Sequence, residues 1–178
     1  MHRAPTVRRF APDEWRTYRD LRLRALAESP DAFGSTLALE RARPDVDWAT
    51  RLDAGARAPS ELPLVAERGG DAVGLAWGRL ADDDPGVARL YQVWVAPEHR
   101  GHGVGRLLLD AVVEWARAAG AHTLALDVTC GDTPAMRLYT RAGCRPAGDP
   151  TPLRPGSVLQ VQPLRLALTE PPEQPERR

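Results

Sequence analysis

Apolar side chains return every third or fourth residue in the first part of the chain, alternate or run together between residues 62 and 97, and then alternate between the two patterns to the end. Thr6–Phe10 is expected as a first strand. Asp13 is placed to cap a helix in which Trp15, Tyr18, Leu21, Leu23 and Leu26 form an apolar side interleaved with arginines. The stretch ESPDAFGST (28–36) breaks that helix with Pro30 and Gly34, and a second helix is expected around 45–54, where Trp48 and Leu52 fall four apart.

The period then shortens. LPLVAER and AVGLAWGRL are joined by GGD, a hairpin signature. In the second run Val73, Leu75 and Trp77 alternate with Gly74, Ala76 and Gly78, so one face is bulky and the other nearly bare; a ligand or a tightly packed helix would lie against the bare side. VARLYQVWVAP (87–97) and TLALDVT (123–129) are further strands. Between them Val104, Leu108, Ala111, Val112, Trp115 and Ala119 line one side of a helix whose other side carries Arg106, Asp110, Glu114 and Arg117. DTPAMRLYTRAG (132–143) predicts a helix ending at Gly143, and SVLQVQPLRLAL (157–168) closes the sheet. The order is strand, two helices, three strands, helix, strand, helix and one or two strands. That is a single domain of the α/β (α+β) class with a mixed sheet. Residues 1–169 form this domain, and 170–178, rich in Pro and Glu, are expected to be a disordered tail.

Composition narrows the functions. With 24 cationic against 24 acidic side chains, the net charge gives no electrostatic case for nucleic acid or an anionic membrane as partner. Every one of those cations is arginine. Two cysteines, Cys130 and Cys144, lack metal-type spacing, and no apolar run has the length of a signal peptide or a membrane span. The expectation is a soluble, cytoplasmic protein.

The chemistry concentrates in EHRGHGVGRLLLDAVVEWARAAG (98–120). A helix N-terminus offers unpaired amides and partial positive charge to an anion. Gly101, Gly103 and Gly105 let several amides converge without obstruction, and Arg100 and Arg106 flank them, so the segment reads as a phosphate cradle. A Walker loop would need a lysine that the chain lacks, and the glycine spacing fits a dinucleotide fingerprint poorly. An ordinary glycine-rich turn from strand to helix is the alternative.

LYQVWVAPEHRGHGVGRLLLDAVVEWA resembles the central motif of the GCN5-related N-acetyltransferases (GNATs), Val-x-Pro-x-x-Arg-Gly-x-Gly-x-Gly between a strand and a long helix. LALDVTCGDTPAMRLYTRAGC is similar to that family's later motif, a strand followed by Asn-x-x-Ala-x-x-Leu-Tyr and Gly-Phe. The likeness covers residues 60–168 well and the N-terminal helices loosely. It implies a mixed, mostly antiparallel sheet of six to seven strands flanked by about four helices. It also implies acetyl-coenzyme A as cosubstrate, no metal, and transfer of the acetyl group to a primary amine of a small molecule, peptide or protein. A homodimer, common in the family, is consistent with it.

Carried over by position, Arg100, Gly101, His102, Gly103, Val104, Gly105 and Arg106 hold the pyrophosphate, Val93 and Val95 offer backbone to the pantetheine arm, and Asp132 lies at the cofactor. Tyr139 takes the general-acid position, suited to a thiolate leaving group; packing of its ring on the sheet is the alternative. Asp127, alternating out of the Leu124, Leu126, Val128 face, is the candidate base, directly or through water, with an arginine salt bridge as the competing role. Gln92 is placed to position water or substrate. Two departures stand out: Asp132 replaces the motif's Asn, where it can still cap a helix, and Cys144 replaces the Phe. No His accompanies either cysteine as a nucleophile's partner, and His99 and His102 lack further ligands for a metal. A coenzyme A-binding sensor on the same fold and a nucleotide-dependent transferase are the rival functions. Acidic residues of the first half (Glu28, Asp31, Glu40, Asp45, Asp47) either draw a cationic amine or form a solvated face.

Overall fold

The computed structural model describes residues 4–168; the expected tail at 170–178 lies outside them. The elements are β1 (Thr6–Arg9), α1 (Trp15–Glu28), α2 (Leu37–Arg41), α3 (Asp45–Arg57), β2 (Glu61–Arg68), β3 (Asp71–Leu80), β4 (Val87–Val95), α4 (Val104–Ala118), β5 (Thr123–Thr129), α5 (Pro134–Arg141), β6 (Arg145–Pro146), β7 (Thr151–Pro152) and β8 (Gln160–Ala167). The strands form one sheet in the order β1-β2-β3-β4-β5-β8-β6, with β7 also on β8. All pairings are antiparallel except β4 with β5.

The expected α/β architecture is present, with small differences in count. The extra strands, β6 and β7, are two residues each and sit in a segment too rich in Pro and Gly to show a strand period. The extra helix, α2, is five residues long, too short for helical periodicity, and starts at Thr36, whose hydroxyl accepts from Leu39 N. The second expected helix runs on to Arg57.

Asp13 does not cap α1. The cap position falls on Glu14, whose carboxylate turns back to Arg8 and to the Ala11 amide. Asp132 does not cap α5 either; Thr133 does, accepting from Met136 N at 3.1 Å with Pro134 at the first helical position.

Helices cover both faces of the sheet. On one face α1 and α3 bury Phe10, Tyr18, Leu26, Trp48 and Leu52 against Val65, Leu75, Trp77 and Trp94. Tyr18 stands at its centre, edge-on to Phe10 and Trp48. On the other face α4 buries Val104, Leu108, Leu109, Val112 and Ala116, joined by Leu124, Leu126, Val128 and Tyr139. Ala116 takes the inward place expected of Ala119, which is exposed.

The bare side of β3 turns out to seat this helix: a Cβ on Gly78 would come within 2.9 Å of the Trp115 ring. Val73 leaves the bulky face and joins the α4 core, because the β2–β3 register shifts there. The hairpin expected at GGD is tight, with Gly69 and Gly70 both at positive φ (67° and 101°), the conformation that a two-residue turn between twisted strands requires.

Candidate active site

β4 and β5 pair for only three residues, Val87–Arg89 against Thr123–Ala125. Beyond that point they share no ladder, although β4 runs to Val95 and β5 to Thr129. The gap is the mouth of a cleft of about 1560 Å³ that reaches both faces of the sheet. A bulge helps to open it: Leu75 pairs with Trp94 but Trp77 pairs with Tyr91, so β4 carries one extra residue. Gln92 sits in the bulge at φ 55°, a left-handed conformation rare for a side-chain-bearing residue. Its Oε1 accepts from the Tyr18 hydroxyl at 2.9 Å.

On the α4 face the cleft ends at Arg100, Gly101 and residues 103–106. Gly101 and Gly103 lie at φ 75° and 79° with open space where a Cβ would be. Gly103 is the N-cap of α4 and supplies no side-chain cap. The first amide of this turn with a backbone acceptor is that of Leu107, to Gly103 O at 3.0 Å, which leaves Val104, Gly105 and Arg106 as donors without a partner among the described residues. Gly105 is small for a different reason: a Cβ there would meet Leu138 of α5 at 3.3 Å.

The Ala96 amide bonds β3, at Val73 O, so strand alternation turns the backbone groups of Val93 and Val95 toward the gap. An uncapped helix end, room at two glycines and a strand edge that offers the Val93 backbone and the Val95 amide fit a diphosphate carrying an amide-containing arm; the Val95 carbonyl already accepts from Arg100.

Three expected cradle residues are already engaged. Arg100 makes a bidentate pair with Glu28 at the end of α1, 2.6 and 3.2 Å, and its Nε donates to Val95 O. That hydrogen bonding, aided by Trp94 Nε1, pulls the Glu28 carboxyl down to about 2 despite partial burial. Arg106 pairs with Asp110 along the helix. The His102 ring folds back on Arg100 O, and Asp132 pairs with Arg137; neither lines the cleft.

Tyr139 and Asp127 reach the cleft from opposite faces. Tyr139 is buried on the α4 face; its hydroxyl has no hydrogen-bond partner among the described residues, and burial pushes its pKa up. Cys144, whose amide donates to Tyr139 O, is buried beside it with its thiol likewise shifted up, while Cys130 is exposed. Asp127 is exposed in the gap on the other face, as the alternation of β5 predicts, and forms no salt bridge among the described residues.

On the α1 face the cleft is closed by the turn at Pro30–Ala32. Thr129 Oγ1 donates to Asp31 O at 2.6 Å, and Arg154 Nη1 to Phe33 O at 2.9 Å. The acidic residues expected to attract an amine are mostly paired here: Glu28 with Arg100, Glu40 with Arg43 and Asp45 with Arg19. Sequence reading passed over Arg22, which is 4% exposed and lines the cleft. Its signal was a cation one helical turn after Tyr18, on the inward side of α1.

Comparison with known proteins agrees with this geometry. Residues 15–144 match the model of the Acetyltransferase (GNAT) family. The chain is 31% identical over 122 residues to a mycothiol acetyltransferase of Pseudarthrobacter chlorophenolicus, covering 67% of this chain and 35% of that one. It is 32% identical over 130 residues to the L-methionine sulfoximine/L-methionine sulfone acetyltransferase of Pseudomonas aeruginosa, covering 69% and 74%. It spans less than half the length of the mycothiol acetyltransferases it matches first.

Among solved structures, a GNAT-family acetyltransferase from Streptococcus pneumoniae superposes with a TM-score of 0.78 at 19% identity, over 92% of this chain and 98% of that one. The Salmonella typhimurium protein yncA, solved with its cofactor acetyl-CoA, gives 0.76 at 21%, over 97% and 99%. These two share the fold. The chain belongs to the GNAT acetyltransferase family.

Proposed function

We propose that residues 1–169 form an acetyltransferase domain that moves the acetyl group of acetyl-coenzyme A to a primary amine. The observation that carries this reading is the splay of β4 from β5 beside the uncapped end of α4. One opening therefore joins an anion-binding helix end on one face to a second, open pocket on the other. Acetyl-coenzyme A, when bound, supplies an activated thioester, so no covalent enzyme intermediate is needed and holding the reactants together accounts for much of the rate.

The amides of Val104, Gly105 and Arg106 would hold the pyrophosphate, and the edge of Val93 and Val95 the pantetheine arm. Arg100 acts mainly as a brace, tying the cradle to α1 through Glu28. Tyr139 holds a proton at its hydroxyl across the working pH range, because burial resists its ionisation. It can give that proton to the departing sulfur. Asp127, on the opposite face and without an ion pair among the described residues, accepts a proton from the incoming ammonium, directly or through water.

The acceptor is read as a small-molecule amine, in keeping with the small molecules named for the relatives above, and a cytoplasmic setting goes with two unpaired cysteines. Thiol release from acetyl-coenzyme A against polyamines, amino acids, aminoglycosides and short peptides tests the reading. Turnover on one class, lost in Tyr139→Phe, supports it; absence of acetyl-coenzyme A binding in a parallel titration overturns it.

A further inference from the structure

The least expected group in the cleft is the Arg22 guanidinium. Arg22 occupies an inward position of α1 with Tyr18, Leu21, Ala25 and Leu26, and is 96% removed from solvent. Its Nε and Nη1 are enclosed and have no hydrogen-bond partner among the described residues. The nearest candidate counter-ion, Glu40, is itself buried but is committed to Ser35 Oγ at 2.9 Å and Arg43 Nε at 3.1 Å. Arg22 rests on the Phe33 ring, 4.6 Å from its centroid, and both residues line the cleft. Arg51 of α3 lines the same wall, and its charge acts on both Arg22 and the Tyr18 hydroxyl.

Buried cations are retained when something pairs with them, and buried guanidinium donors are rarely left empty. Here the chain provides a cleft, a fixed stacking surface under the guanidinium and a second arginine, while the one carboxylate whose charge acts on Arg22, Glu40, is hydrogen-bonded to Ser35 and Arg43 and not to Arg22. Packing alone would be served as well by Leu or Met in this stripe.

Resting on the proposed acetyltransferase activity, we infer that Arg22, with Arg51, is the docking point for a carboxylate on the acceptor, so that the substrate class is a carboxylate-bearing amine such as a free amino acid. Arg22 lies one helical turn from Tyr18, whose hydroxyl holds the Gln92 bulge at the splay. A carboxylate seated on Arg22 therefore leaves an amine only a few bonds away to point into the gap between β4 and β5. The planar fork of arginine suits a carboxylate, and the Phe33 ring fixes its plane.

The test is a set of protein amino acids, each compared with its methyl ester, alongside spermidine and O-phosphoethanolamine, read by thiol release from acetyl-coenzyme A. The expected result is a preference for the acid over its ester of about 100-fold in kcat/KM, expressed mainly in KM. In Arg22→Met that preference should collapse toward unity, with Arg22→Lys intermediate and Arg51→Met partial. Should Arg22→Met fail to fold, shown by loss of a cooperative thermal transition, the wild-type comparison and Arg51→Met decide. Equal turnover of acid and ester, a preference that survives both Met variants, or selective use of spermidine or O-phosphoethanolamine overturns the carboxylate site. Acetyl-coenzyme A binding by calorimetry, without turnover of any amino acid, also overturns it while leaving the cofactor reading intact. No binding of acetyl-coenzyme A removes both.

Discussion

The Tyr18 hydroxyl donates to Gln92 Oε1 at 2.9 Å, linking the centre of the α1 core to the one non-glycine residue with positive φ among the described residues. A left-handed glutamine costs about 1 kcal/mol or more relative to an ordinary conformation, so this bond helps to hold the bulge that opens the sheet. Tyr18→Phe keeps the ring packing and removes only the bond. Urea unfolding should show a loss of about 1 kcal/mol. Acetyl transfer should fall several-fold through KM of the acceptor, because the strand edge at the gap between β4 and β5 loosens.

Tyr139→Phe separates chemistry from packing. The hydroxyl bonds nothing among the described residues, so the thermal midpoint should not fall, while kcat should drop about 100-fold with acetyl-coenzyme A affinity retained. Loss of affinity in proportion would point to a packing role instead.

The same residue has a signature in alkali. The folded state raises the Tyr139 pKa above that of the unfolded chain, near ~10, so its contribution to stability is intact below that pH and declines as the pH rises past it. Denaturant midpoints measured from about pH 9 to 11 should fall less steeply in Tyr139→Phe than in wild type.

Glu28 behaves in the opposite sense. Arg100 holds its carboxyl at about 2 in the folded state against 4.5 for the free group. Its contribution is therefore complete above 4.5 and is lost as pH falls from there toward 2. Acid unfolding followed by circular dichroism should be less pH-dependent across that window in Glu28→Gln. Acetyl-coenzyme A binding should also weaken, because the brace on the cradle is cut.

Gly103→Ala tests the cradle itself. At φ 79° an alanine is strained by about 1 kcal/mol, and its methyl projects into the space left for a ligand. Acetyl-coenzyme A affinity should fall about tenfold or more, measured by calorimetry, with a smaller loss for Gly101→Ala.

The longer strands, the glycine turn before α4 and the outward placement of Asp127 were legible in sequence because each follows from a local rule: period two in the strands and in β5, glycines before an amphipathic helix. What escaped depended on contacts between distant segments. Arg100 looks like a phosphate ligand beside its glycines, yet its partner lies 72 positions away at Glu28. Gly105 belongs with the cradle by spacing, yet its size answers to Leu138. Arg22 was one arginine among several on α1; its place one turn after Tyr18 marks it as inward, but its stacking on Phe33 depends on a segment outside the helix.

The turn at Pro30–Ala32 hangs from donors supplied by Thr129 and Arg154, 98 and 121 positions further along for the bonds to Asp31 and Phe33. During synthesis the helices of the first third leave the ribosome long before either donor exists. The outer wall of the cleft on the α1 face is thus buttressed only when the last third of the chain arrives. A nascent chain stopped before residue 129 would carry the cradle, the bulge and Arg22, yet present them in a pocket with an untethered side.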